Sequence, residues 1–292
     1  KSKEVMMGKR SARIVTPVLS VEGESMPEAW EKAALLVAEK GLVYTRDDPE
    51  DMGKQIDSFM TIAVQNPDAD PFSHKMGGTN AAMAPLFDYQ MEILGAKDLW
   101  IKDLNDPTDT RWDYLYHERL ASSPGSKGPI NQIEFVVNRL IERPYSRRTN
   151  MTTWVPERDT KAKDTPCLQR FWFNITPNSE GGNDLLDIHY SFRSRNVAKA
   201  SFGNMMGFYI LGCDIRDRVE QATGRNLDMR MIDTVDSFHV SSRDYETFMA
   251  NVENLKKRNA DFLAGKIKEA VEKNQPLPPR ENLERDSFLD RT

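Results

Sequence analysis

The chain has 292 residues, 39% hydrophobic and 29% charged, an ordinary globular composition that can bury a sizeable core. With a net charge of -5 nothing advertises a general nucleic-acid binder, so no DNA partner is expected and any cationic site must be local. Two cysteines make neither a disulfide framework nor a metal site. The longest apolar run falls short of the roughly 18 residues of a membrane helix, and the charged N-terminus lacks a signal-peptide core, so a cytoplasmic protein is expected.

Residues 1–12 are basic and read as a flexible N-terminus, 13–275 as one folded domain and 276–292 as a polar C-terminal tail. Residues 14–21 (IVTPVLSV) predict a strand, with Pro17 marking an edge or a bulge. Ser25 followed by Glu28 forms a capping box with Pro27 in the first helical turn. Trp30, Ala34, Leu35 and Ala38 give that helix its apolar face, and Gly41 closes it. Residues 59–64 (FMTIAV) predict a second strand, and 66–83 a loop rich in Asn, Pro, Asp and Gly. Helices follow at 85–95 and at 131–143, where Ile133, Val136, Val137 and Leu140 carry the period. Segments 148–155, 168–175, 184–192 and 228–240 predict strands, 203–223 a long apolar helix and 243–272 a polar one. The pattern is α+β, with a mixed sheet packed against helices.

The chemistry centres on Cys167, which follows Pro166 and lies 20 residues after Arg147 and 26 before Arg193. A free cysteine is most often a buried, inert side chain. Arg147, Arg148, Arg170 and Arg193 would make it a reactive thiolate if the fold gathers them around it. Cys213, in the apolar helix, reads as core. The Arg147-Arg148 pair, at the start of a predicted strand, is either a solvated edge or a pair of guanidiniums gripping a phosphate. Residues 192–204 (FRSRNVAKASFGN) are polar between apolar flanks, as in a surface connection or the rim of a site.

Four segments in order resemble the thymidylate synthase family. They are residues 130–148 (INQIEFVVNRLIERPYSRR), Thr165-Pro166-Cys167, Arg193-Ser194 with Asn204, and residues 236–239 (DSFH). A fifth, weaker likeness runs from Tyr116 to Arg119, and the first 80 residues look closer to archaeal or hydroxymethylase-like branches. The resemblance implies a thymidylate-synthase-like catalytic domain that forms a homodimer through its sheet. It implies that Cys167 adds to C6 of a pyrimidine 5'-monophosphate, making C5 nucleophilic toward the one-carbon unit of 5,10-methylenetetrahydrofolate. Arg193 and Ser194 would hold the phosphate from the same chain, and Arg147 and Arg148 from the neighbouring subunit, with Arg46 as a further phosphate ligand. Asn204 would read the pyrimidine edge, His239 would place the sugar, and Tyr116 and Glu92 would relay protons.

The sequence also departs from the family. Asn196 stands at the folate-binding position where the family has an aspartate that binds the pterin. Ser241 replaces a sugar-binding tyrosine, leaving room for a ribose 2'-hydroxyl. Leu168 follows the cysteine where many members have histidine, and the tail (ERDSFLDRT) lacks the family's apolar C-terminus. Water admitted after one-carbon transfer would give a hydroxymethyl product; with water excluded, hydride from tetrahydrofolate would give a methyl product. Because Asn204 both donates and accepts, it matches uracil. The expected reaction is methylation of dUMP; the alternatives are hydroxymethylation of dUMP, dCMP or CMP, and a non-catalytic nucleotide- or RNA-binding protein.

Overall fold

A computed structural model describes residues 14–69, 74, 76, 83–96, 106, 108, 109, 113–273, 275 and 276. The predicted N-terminal segment 1–12, most of the 66–83 loop and nearly all of the 276–292 tail lie outside these residues. In chain order the elements are β1 (Val18–Gly23), α1 (Met26–Lys40), β2 (Leu42–Arg46), β3 (Gly53–Asp57), β4 (Phe59–Val64), α2 (Met83–Ile93) and α3 (Tyr116–Ala121). There follow α4 (Gln132–Glu142), β5 (Thr149–Thr152), α5 (Pro156–Asp159), β6 (Leu168–Thr176), β7 (Asp184–Phe192) and β8 (Arg195–Asn196). A π-helical turn (Val197–Ser201) leads into α6 (Phe202–Thr223), and β9 (Leu227–Val235), β10 (Phe238–His239) and α7 (Ser242–Glu272) complete the series.

Six strands form a mixed sheet in the order β1-β4-β9-β7-β6-β5. Strands β1 and β4 are parallel, as are β7 and β9, and the other neighbours are antiparallel. The period-2 alternation sends Phe171, Phe173, Ile188, Tyr190, Phe192, Met229, Met231, Met60 and Ile62 to one face. Helices α1, α4 and α6 cover that face. On the other face Trp172, His189, Ile232 and Thr234 keep part of their surface open, and Trp172 lies 4.8 Å from His189.

Local chemistry explains where elements begin. Ser25 Oγ accepts from Glu28 N at 3.4 Å, and Glu28 Oε2 accepts from Glu24 N at 3.0 Å, so the capping box closes one residue earlier than predicted. The first strand starts at Val18, not at residue 14: Pro17 has no N–H to give, and its carbonyl accepts from Phe59 N at 3.0 Å. As expected of a proline-marked strand, β1 lies at the sheet edge. The hairpin β2–β3 was not predicted, since its half-exposed residues carry little hydrophobic pattern. Arg147 and Arg148 occupy a turn before β5 rather than the strand itself, so the opposite-faces reading does not apply to them.

The predicted strand 228–240 breaks in two at Asp236-Ser237, and that break builds the site. β7 and β9 run parallel to their ends at Phe192 and Val235. Both chains then bend and pair again as β8 and β10, with Arg195 N donating to Ser237 O and Asp236 N to Phe192 O, each at 2.9 Å. The core beneath includes His74, stacked on Trp30 at 4.1 Å and set edge-on to Phe202 at 4.6 Å; burial lowers its pKa to about 4. Among the described residues no helix is long and apolar enough to cross a membrane.

Candidate active site

Three strand ends meet at one end of the sheet. Cys167 immediately precedes β6, and Leu168 pairs with Phe192, which sets Arg193 beside the cysteine. Arg193 N donates to Cys167 O at 2.9 Å. Its guanidinium turns back on the preceding loop, Nε donating to Pro166 O at 3.2 Å and Nη2 to Thr165 O at 2.8 Å and Oγ1 at 3.1 Å. Those bonds use three of five N–H groups and leave both on Nη1 for an anion. Burial pushes the half-buried Cys167 thiol up; the positive charge of Arg193 pulls it down, Asp164 opposes that, and a hydrogen bond from Tyr114 favours the thiolate.

Ser194 Oγ lies 3.4 Å from His239 Nδ1 across the β8–β10 pair. The same nitrogen is 3.2 Å from Ser237 O. A carbonyl oxygen only accepts, so Nδ1 carries the proton and Nε2 is the free ring nitrogen. Ser237 Oγ in turn donates to both oxygens of Asp57, at 3.0 and 3.1 Å. Arg195, between Ser194 and Asn196, points inward: it is 3% exposed, pairs with the fully buried Asp233 and lies against the Phe192 and Phe238 rings.

Asn196 ends β8 and caps the π turn, its Oδ1 accepting from Ala198 N at 2.9 Å and Lys199 N at 3.1 Å. Its Nδ2 donates to Ser241 Oγ and to Asp244 Oδ2, both at 3.0 Å. All four hydrogen-bonding places of the amide are thus filled within the chain. Ser241 Oγ donates to the same Asp244 oxygen at 2.6 Å, and Lys199 pairs with Asp244 at 3.0 Å.

Asn204 sits in the first turn of α6 and is nearly buried, its Nδ2 donating to Tyr89 Oη at 2.7 Å. Tyr116 opens α3 and accepts from Leu168 N at 3.3 Å, which holds its ring beside the residue that follows the cysteine. Burial pushes the Tyr116 phenol well up, and Tyr114, Tyr89 and Cys167 act on it in the same direction. Tyr114 and Tyr116, whose rings lie 5.8 Å apart, stand beside the thiol, while Tyr89 holds Asn204. Glu92 lies one turn beyond Tyr89 on α2, near enough to help burial raise the Tyr89 phenol.

The thymidylate synthase family profile matches residues 82–274. The chain belongs to that family. A protein of Methanosarcina barkeri named "Putative thymidylate synthase" is 24% identical over 241 residues, covering 81% of this chain and 94% of that protein. A Methanosarcina acetivorans protein of the same name is 26% identical over 241 residues, with the same coverage. Thermostable thymidylate synthase A from Bacillus subtilis shares the fold at 14% identity, with a TM-score of 0.54 over 78% of this chain and 84% of that one. The α+β class and the divergent thymidylate synthase relationship expected from the motifs both hold.

Within this thymidylate synthase fold, one chain joins Cys167, Arg193, Ser194, His239 and Tyr116 at the strand ends, with Asn204 reached through Tyr89. It does not bring in Arg147 and Arg148. Those arginines are exposed and line an open groove with Arg139, Arg143, Pro144, Tyr145 and Ser146. Among the described residues none of the four guanidiniums there forms an ion pair. Arg46 lies at the end of β2, where Nη2 binds Asp48 at 2.6 Å, and no contact joins it to Cys167. Arg170 points outward from β6. Cys213, read as core, is half-buried with Arg216 Nη2 at 3.7 Å from its sulfur.

Sequence reasoning passed over Tyr89 and Tyr114. The Tyr-x-Tyr spacing of 114 and 116 was the available signal for one, because alternate residues of an extended segment share a face. Nothing in the sequence marks Tyr89, whose position depends on how α2 crosses α6.

Proposed function

We propose that this protein transfers a one-carbon unit to C5 of a pyrimidine 5'-monophosphate through a covalent adduct with Cys167, dUMP methylation being the reaction favoured. The observation that carries the reading is the tie between Cys167 and Arg193, a nucleophile and an anion ligand on one strand pair. With the phosphate on Nη1 of Arg193 and on Ser194, the base extends toward the sulfur. His239 Nε2 accepts from a sugar hydroxyl, and Ser241 stands beside that position. The thiolate forms a bond from sulfur to C6, and the electron pair of the C5–C6 bond moves toward the C4 oxygen. Carbon 5 then bonds to the one-carbon unit, the bond from that unit to its donor nitrogen breaks, and C5 loses its proton. The C5 methylene so formed would need a hydride, which a reduced folate donor would supply, to become methyl as the thiolate leaves C6 and the ring double bond is restored.

5,10-Methylenetetrahydrofolate is the one-carbon donor that the family resemblance implies. Asn196, with every amide place filled, does not offer a pterin a free hydrogen bond, so no step is assigned to it. Tyr116, beside the nucleophile, and Glu92, one turn beyond Tyr89, serve as proton-relay groups in this reading. The four unpaired arginines beside Tyr145 favour the reading in which Arg147 and Arg148 serve the partner subunit's phosphate, with the partly open sheet face as the homodimer contact. Arg46 remains as a further phosphate ligand on the β2–β3 hairpin, provided that Asp48 releases it.

Incubating the protein with labelled methylenetetrahydrofolate and dUMP, dCMP or CMP, then weighing the products, tests this directly. Methylated dUMP is expected from the unchanged protein and none from Cys167→Ala. A hydroxymethyl nucleotide alone would replace the methylase reading with the hydroxymethylase one. Absence of any adduct or product, with nucleotide or RNA still bound by Cys167→Ala, would leave only a binding role.

A further inference from the structure

Tyr89 has no part in the expected chemistry, yet it makes the only hydrogen bond seen from the Asn204 side chain among the described residues, at 2.7 Å. Its ring is seated by a deliberate absence of bulk. Gly207, three residues beyond Asn204 on α6, faces it, and a Cβ there would stand 2.6 Å from Tyr89 Cε1 and 2.9 Å from Cδ1. Such distances are far inside contact, so the absence of a side chain at Gly207 makes room for the ring beside Asn204. Burial pushes the phenol up, with the Glu92 carboxylate adding to it, which favours the neutral hydroxyl.

Resting on the functional reading above, we propose that Tyr89 sets which way the Asn204 amide faces and thereby which pyrimidine the site accepts. An asparagine amide has a donor end and an acceptor end, and turning it over exchanges them. With Nδ2 committed to Tyr89, Oδ1 is the atom presented to the ring, and a carbonyl oxygen only accepts. It therefore meets the N3–H of uracil, while the second N–H of Nδ2 reaches the C4 oxygen. Cytosine offers a bare N3 and an amino group, which would put lone pair against lone pair at N3. Rejection of cytosine then comes from an unfavourable contact as well as a lost bond. Tyr89 is thus a positioning residue that acts through Asn204.

The test is the affinity of the unchanged protein and of Tyr89→Phe for dUMP, dCMP, UMP and CMP by titration calorimetry, with folding of each variant checked by circular dichroism. The phenyl ring keeps the packing against Gly207 and loses only the hydroxyl. Preference for uracil over cytosine nucleotides should fall roughly tenfold, because the freed amide can turn over to suit either base. Gly207→Ala, which keeps the hydroxyl but displaces the ring, should lower the same preference and decides the matter if Tyr89→Phe does not fold. Equal weakening toward uracil and cytosine nucleotides, or an unchanged ratio, would show a merely structural role and overturn the proposal. Binding of no pyrimidine nucleotide by the unchanged protein would instead sink the functional reading itself, and this one with it.

Discussion

At the scale of single residues, the decisive relation is between a thiol that burial makes reluctant to ionise and the one guanidinium that relieves it. Arg193 is exposed, but two of its nitrogens bind the Thr165-Pro166 loop, so the charge is fixed beside the sulfur rather than wandering in solvent. Arg193→Ala should shift the pH dependence of Cys167 alkylation by iodoacetamide to higher pH, since the charge that lowers the thiol is lost while burial remains. Arg193→Lys should restore part of the effect. An unshifted profile in the alanine variant would mean that Tyr114, not Arg193, governs the thiol. Cys167→Ser is expected to retain nucleotide binding and lose turnover by several orders of magnitude, measured as product formed per site.

At the scale of elements, the site depends on close joins that tolerate no extra atom. Gly23 ends β1 where α1 folds back over it, and a Cβ there would lie 2.5 Å from Ala29 N and 2.7 Å from Ala29 Cα. Backbone cannot step aside as a side-chain tip can, so Gly23→Ala should lower stability by about 1–3 kcal/mol in urea denaturation. The sequence made such elements legible where hydrophobic period was strong. The Trp30 helix, the Val136 helix and the strands carrying Phe171 and Tyr190 all lie within a few residues of their predicted bounds. It hid those whose reason is tertiary. Residues 228–240 read as one strand because Val235 and Phe238 are both apolar, and only pairing with β8 reveals the bend at Ser237. The cysteine and its arginine were legible as motifs, whereas Tyr89 was not, because its partner lies 115 residues away on another helix.

For the whole molecule, acid sensitivity and assembly are the measurable consequences. His74 has a pKa lowered from 6.5 to about 4, so the unfolded chain binds its proton first as pH falls. Its contribution is complete above pH 6.5 and is lost between there and about 4, a change of roughly 3 kcal/mol. His74→Phe should flatten melting temperature against pH across that window; an equally steep curve would assign the lability elsewhere. If Arg147 and Arg148 serve a partner's site, then Cys167→Ala and Arg148→Ala proteins, each inactive alone, should regain about a quarter of full activity when their subunits are exchanged at equal amounts. No recovery after verified exchange would place those arginines outside the site. The Arg195–Asp233 pair carries a further consequence for how this protein can change. Removing either partner strands a lone charge in the interior, at a cost of roughly 3–5 kcal/mol, whereas an apolar pair could replace both. Positions 195 and 233 can therefore be crossed only by a simultaneous exchange, and a lineage wandering one substitution at a time will find that route closed.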